Sequence, residues 1–128
     1  MRLMSFALTT PQILARTKTV TRRLGWTFLQ PGDLLQPVKK NQGLKKGERV
    51  ERVGGPVRVV RVHRERLSRL VYESADWARR EVVAEGFPAM DRFEFFSFFS
   101  KSHGAKSEAQ ALAMVVTRIE FEYVEPTS

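Results

Sequence analysis

The clearest periodicity in the chain lies between Pro56 and Leu70, and it calls for a long β-strand. Val57, Val59, Arg61, His63 and Glu65 share one parity, and Arg58, Val60, Val62 and Arg64 share the other. The alternation is imperfect, so the strand is half buried on both faces or changes face at a bulge. Leu67 and Leu70 either continue it or turn away from it. A second extended stretch, Ala113 to Val124, places Val115, Thr117, Ile119, Phe121 and Tyr123 on one side.

The rest of the chain punctuates these strands. Leu3 to Leu8 is a short strand candidate, and Thr10-Pro11 opens a brief helix over 10–16, with Thr10 as cap. Thr17 to Thr21 is rich in β-branched residues and reads as extended chain leaving that helix. Gln30-Pro31-Gly32-Asp33 is a turn, followed by a strand from Leu34 to Val38 that Pro37 pushes towards a sheet edge. A basic loop at 39–49 ends near Gly54-Gly55-Pro56. Ser74 caps a helix over 75–85, which Gly86 ends, with Arg79, Arg80 and Glu81 expected outside. Pro88 is expected to start a helix over 88–100, whose Phe93, Phe95, Phe96, Phe98 and Phe99 read as core rather than as a binding surface. Residues 101–110, polar and with Gly104, read as a loop or a frayed helix end. The pattern predicts one α+β domain over 1–128, a mixed, curled or barrel-like sheet with short helices at its ends.

Composition narrows the class. With 128 residues, 42% hydrophobic and 9 Phe, the chain can bury a core of its own. The absence of Cys removes disulfides and thiolate metal sites, and two His, at 63 and 103, argue against a histidine-only metal site. No metal and no cofactor are expected. No apolar run suits a membrane span, and Pro11-Gln12 interrupts the start before a secretory leader could form, so the cytoplasm is the expected compartment. Charge is segregated. Residues 1–80 carry 18 Lys and Arg against 6 Asp and Glu, a balance of +12, whereas residues 81–128 carry 4 against 8, a balance of −4. A basic half of this size attracts polyanions, and RNA or another nucleic acid is the natural partner. Lys39, Lys40, Lys45 and Lys46 in the basic loop are candidate phosphate contacts; basic residues that merely blunt sheet edges are the plainer reading.

The densest polar cluster outside that loop is Arg16-Thr17-Lys18-Thr19-Val20-Thr21-Arg22-Arg23. On an extended chain Thr17, Thr19, Thr21 and Arg23 share one side. In a concave site such residues bind a phosphate or a carbonyl oxygen, or do acyl chemistry when a base activates a Thr hydroxyl. Spacing alone favours a solvated, positively charged strand.

This segment resembles the signature of the ASCH domains, members of the PUA-like superfold. Their motif, Gly-x-Lys-x-x-Glu-x-Arg at the exit of a short helix, places its Lys on Lys18 and its Arg on Arg23, with Thr21 in the Glu position and Arg16 in the Gly position. Thr at that point is similar to one branch, the small amidohydrolases of N4-acetylcytidine. Pro31-Gly32-Asp33-Leu34-Leu35 and Ile119-Glu120-Phe121 resemble two further strings of the wider family. The resemblance implies a PUA-like β-barrel with a cleft beside Lys18. It implies two kinds of function. The first is binding of RNA or a nucleotide by Arg16, Arg22, Arg23 and the loop lysines, with Trp26 as a stacking plate. The second is hydrolysis, by a ribonuclease or by an amidohydrolase with Thr21 as nucleophile, Lys18 as base or oxyanion partner and Glu85 orienting them. Arg16, a bulky cation in the Gly position, is expected to fill a small acyl pocket and so to favour a phosphate-bearing ligand.

Overall fold

The computed structural model describes residues 1–40 and 43–125; Asn41 and Gln42 of the basic loop and residues 126–128 lie outside the described residues. In chain order the elements are β1 (Arg2–Ser5), α1 (Thr10–Leu14), β2 (Val20–Arg23), β3 (Leu34–Val38), β4 (Val57–Arg66), α2 (Arg69–Tyr72), α3 (Ala75–Ala84), α4 (Arg92–Ser102), α5 (Glu108–Ala113) and β5 (Val115–Tyr123). The strands form one mixed five-stranded sheet in the order β1-β3-β4-β5-β2, in which only β1 and β3 run parallel.

The sheet is α+β in setting, as expected, but open. Among the described residues no ladder joins β1 to β2. Both strands are four residues long. A side chain stands where a backbone ladder would close a barrel: Arg23 Nη2 reaches across the seam and donates to the Ser5 carbonyl at 2.5 Å. That seam places the site described below.

β4 carries its bulge between Val59 and Arg61. Before it Val57 and Val59 are buried; after it Arg61, His63 and Glu65 share the face of Arg118 and Glu120 on β5. Leu67 and Leu70 do not extend the strand. Both are fully buried, Leu67 just ahead of the one-turn α2 and Leu70 within it. Pro37 does not make β3 an edge. β3 lies between β1 and β4, but its pairing with β4 stops at Leu34 and Leu35, so the missing Pro37 N–H breaks no bond there. Its carbonyl is used instead, accepting from Val53 N at 2.9 Å.

Local chemistry explains the helix ends. Ser74 accepts from Trp77 N at 3.2 Å and starts α3 as read from the sequence. α1 has no side-chain cap: the Thr10 hydroxyl donates to the Phe6 carbonyl instead. α4 begins at Arg92 rather than Pro88, because Asp91 and Glu94 form a reciprocal capping box. α5, which starts in the stretch read as loop or frayed helix end and runs past it to Ala113, is capped by Ser107, which accepts from Gln110 N.

Two apolar clusters hold the molecule together. One gathers Met4, Phe6, Ile13, Leu35, Val57, Val59, Ile119 and Phe121 on the sheet. The other joins Leu67, Leu70, Val82, Phe95, Phe96, Phe99 and Val116 among the helices. Each buried Phe or Leu contributes roughly 1.5–3 kcal/mol relative to exposure.

Candidate functional site

A cavity of about 250 Å³ opens at the seam between β1 and β2. One wall is polar, made by Lys18, Thr21, Arg23 and Glu85. The other is aromatic, made by Phe87, Phe95, Phe98, Phe99 and His103. The chain at 6–9, leaving β1, closes a side.

The Lys18 segment is clamped from both sides. Thr19 N donates to the Ala84 carbonyl at 2.8 Å, and the Thr19 carbonyl accepts from Phe121 N at 2.9 Å. Tyr123 Oη donates to the Lys18 carbonyl at 2.5 Å. Gly86 lets α3 end against this segment. Its φ is +99°, and a Cβ there would meet Gln12 Cγ at 3.0 Å and Lys18 Cβ at 3.5 Å. Only glycine suits that combination of dihedral and clearance.

Lys18 is buried, and its ammonium donates to the Glu85 carbonyl at 2.7 Å and to Glu85 Oε1 at 2.9 Å. Burial lowers its pKa below the ordinary lysine range, although Glu85 pulls the other way. Glu85 Oε2 accepts from Arg22 Nη1 at 2.9 Å. Glu85 therefore lies between two cations. Thr21 is buried in the same cavity, but its Oγ1 accepts from Arg23 Nε at 3.2 Å, and among the described residues no hydrogen bond joins it to Lys18 or Glu85. Burial brings the Arg23 guanidinium down to about 10, against the pull of Glu85.

Arg22 does not face solvent as a phosphate contact. Its side chain is 0% exposed and binds Glu81 and Glu85, with Glu65 Oε2 at 3.6 Å. The reason is register: Arg22 lies directly opposite Arg118 on β5. Two cations face to face would repel, and Glu81 satisfies both, accepting from Arg118 Nε at 2.6 Å and Arg118 Nη2 at 3.0 Å. Burial works against the Arg22 charge, but Glu85, Glu65 and Glu81 outweigh it and hold its pKa above the ordinary arginine value. Glu81, expected on the outside of α3, is thus buried. The signal was present: Glu81 and Glu85 stand at i and i+4, one face of a helix.

Arg16 lies outside the cavity, so it fills no acyl pocket. It adopts a left-handed φ of 60°, pairs with the exposed Glu125 and sits over the Tyr123 ring. Arg16 thus holds a left-handed dihedral at a steric cost that glycine would not bear. Trp26 is half buried against the sheet cluster, beside Phe28, and does not line the cavity. Lys39, Lys40, Lys45 and Lys46 are on the loop near β3, with Lys40 paired to Glu48 at 3.2 Å. They form a surface separate from the cavity lining. The phenylalanines expected as pure core divide three ways. Phe96 is core, Phe93 is exposed, and Phe95, Phe98 and Phe99 are shared between core and cavity. Among the described residues no group of His, Asp and Glu is placed to hold a metal ion, and no helix is long and apolar enough to cross a membrane. No protein-family profile, curated protein or solved structure matches the chain.

Proposed function

We propose that this chain is a nucleic-acid-binding domain of PUA-like type that takes a single unstacked base of RNA, or a nucleoside, into the cavity at the β1–β2 seam. The observation that carries this reading is the pairing of the two walls. A planar heterocycle needs apolar contact on its faces and hydrogen-bond donors at its edge. Phe87 and Phe98, both part-exposed, supply the first, and Lys18, Thr21 and Arg23 the second. A bare phosphate would leave the aromatic wall unused. The +12 balance of residues 1–80 supplies the attraction for the backbone on either side of the base. The test compares a short single-stranded RNA with the same strand carrying one abasic position, by polarisation at low salt. Binding should weaken on loss of the base, and Phe98→Ala should weaken the intact strand to a similar degree, by about tenfold for a stacking contact. Equal binding of intact and abasic strands would refute it.

A second reading, hydrolysis of an acylated base amine, is favoured by two observations. Arg16 leaves the cavity free, and burial lowers the Lys18 pKa, the direction that general-base work calls for. Thr21 Oγ would attack the acyl carbon as Lys18 takes its proton and passes it to the leaving amine, and water would then cleave the ester. Release of acetate from N4-acetylcytidine, lost on Thr21→Val, would place this reading first.

A further inference from the structure

The polar wall of the cavity mainly offers donors. Lys18 and Arg23 carry only N–H groups, and the Thr21 oxygen already accepts from Arg23, leaving its hydrogen free. Both Glu85 carboxylate oxygens are engaged by cations. His103, at the end of α4, differs. Its Nδ1 lies 2.9 Å from the Phe99 carbonyl, which can only accept, so Nδ1 bears the hydrogen. In the neutral ring Nε2 is then a bare acceptor, and among the described residues it has no protein partner. The ring is also stacked on Phe99, with centroids 4.0 Å apart and planes 17° from parallel. One hydrogen bond and one stack thus fix the imidazole plane, and the residue lines the cavity.

We propose that His103 is a specificity-determining residue whose Nε2 accepts a hydrogen bond from an amino group on the bound base, while the Lys18 wall donates to that base's acceptors. The inference rests on the base-binding reading above and adds to it. It distinguishes bases by what they donate. A fixed, partly buried acceptor rejects a ring that lacks the donor, since Nε2 is then left desolvated and unpaired.

The test titrates the intact protein with cytidine, adenosine and guanosine, each beside the analogue lacking its exocyclic amine: pyrimidin-2-one riboside, purine riboside and inosine. For the nucleoside that binds best, removing the amine should weaken the parent by about tenfold, the loss of one buried hydrogen bond. His103→Phe keeps a stacking ring without the acceptor and should lose that preference. In the parent, the ¹⁵N resonance of His103 Nε2 should move with the amino nucleoside and stay still with its analogue. This readout needs no variant and decides the matter if His103→Phe fails to fold. If nucleosides bind but His103→Phe keeps the preference, or Nε2 does not respond, the inference is wrong and the base-binding reading stands. If the parent binds no nucleoside, both fall together.

Discussion

Arg16 and Gly86 bracket the site with opposite solutions to one backbone problem. Both hold left-handed dihedrals, but only Gly86 does so without steric cost. Arg16→Gly should relieve that strain, gaining up to about 1 kcal/mol after the entropy cost of glycine. It should leave ligand affinity unchanged, because Arg16 does not reach the cavity. Thermal denaturation checks the first part, and a stability loss would show that the Glu125 pair matters more than the dihedral. Gly86→Ala should do the reverse, costing about 2 kcal/mol or more through its dihedral and the approach of Gln12. Unchanged stability in urea would contradict the close contact described. At this scale the sequence was legible at one pair of the expected triad, while Thr21 joins neither of its expected partners. Lys18 and Glu85 do meet, at 2.9 Å. It misled at Arg22, since nothing in a run of Lys, Thr and Arg says which cation will face carboxylates brought in by a distant helix. His103 gave no signal, because its role depends on a helix end folding back onto the cavity.

α3 carries the two carboxylates that organise the buried charges, so its docking depends on electrostatics as well as on Val82. Glu81 is held by Arg22 and Arg118. Burial raises its pKa, but hydrogen bonds and charge from the two arginines outweigh this and leave it lowered. A lowered folded pKa means that its contribution is complete above the ordinary glutamate value of 4.5 and is lost as pH falls through the folded value. Glu81→Gln should therefore cost about 3–5 kcal/mol near neutral pH, because it leaves two arginines undercompensated. It should also flatten the loss of stability on acidification. Urea unfolding at a series of pH values checks both; a variant that keeps the parent's acid limb would show that Glu81 does not drive it. The elements themselves were mostly legible. β4 and β5 followed from alternation, which left the β4 bulge as one of two options, and α3 from its Ser74 cap. α4 was placed early because Pro88 is a weaker start than the Asp91–Glu94 box, and α5 was missed because so short a helix, rich in Ala and polar residues, has no apolar stripe.

The molecule is an open, mixed five-stranded sheet with short helices, and the cavity lies between the edge strands β1 and β2 and helix α4. The pairing order could not be read from the sequence, since among the described residues no ladder joins β1 to β2, which Arg23 bridges, and the parallel β1–β3 pair joins segments far apart in the chain. The charge partition was plain, and it belongs to this scale. Lys39, Lys40, Lys45 and Lys46 changed together to Ala should weaken all RNA sequences alike and make the salt dependence shallower, with log K changing by about 0.7 less per decade of salt for each phosphate contact removed. An unaltered slope would place the backbone elsewhere. The central claim is that the seam cavity holds a base. The most direct measurement is an NMR titration of the intact protein with single nucleosides, following the Lys18, Thr21, Phe98 and His103 resonances. Saturable shifts are expected at these four residues together, with the Lys39–Lys46 loop unmoved. Shifts confined to the loop, or no binding of any nucleoside, would contradict it.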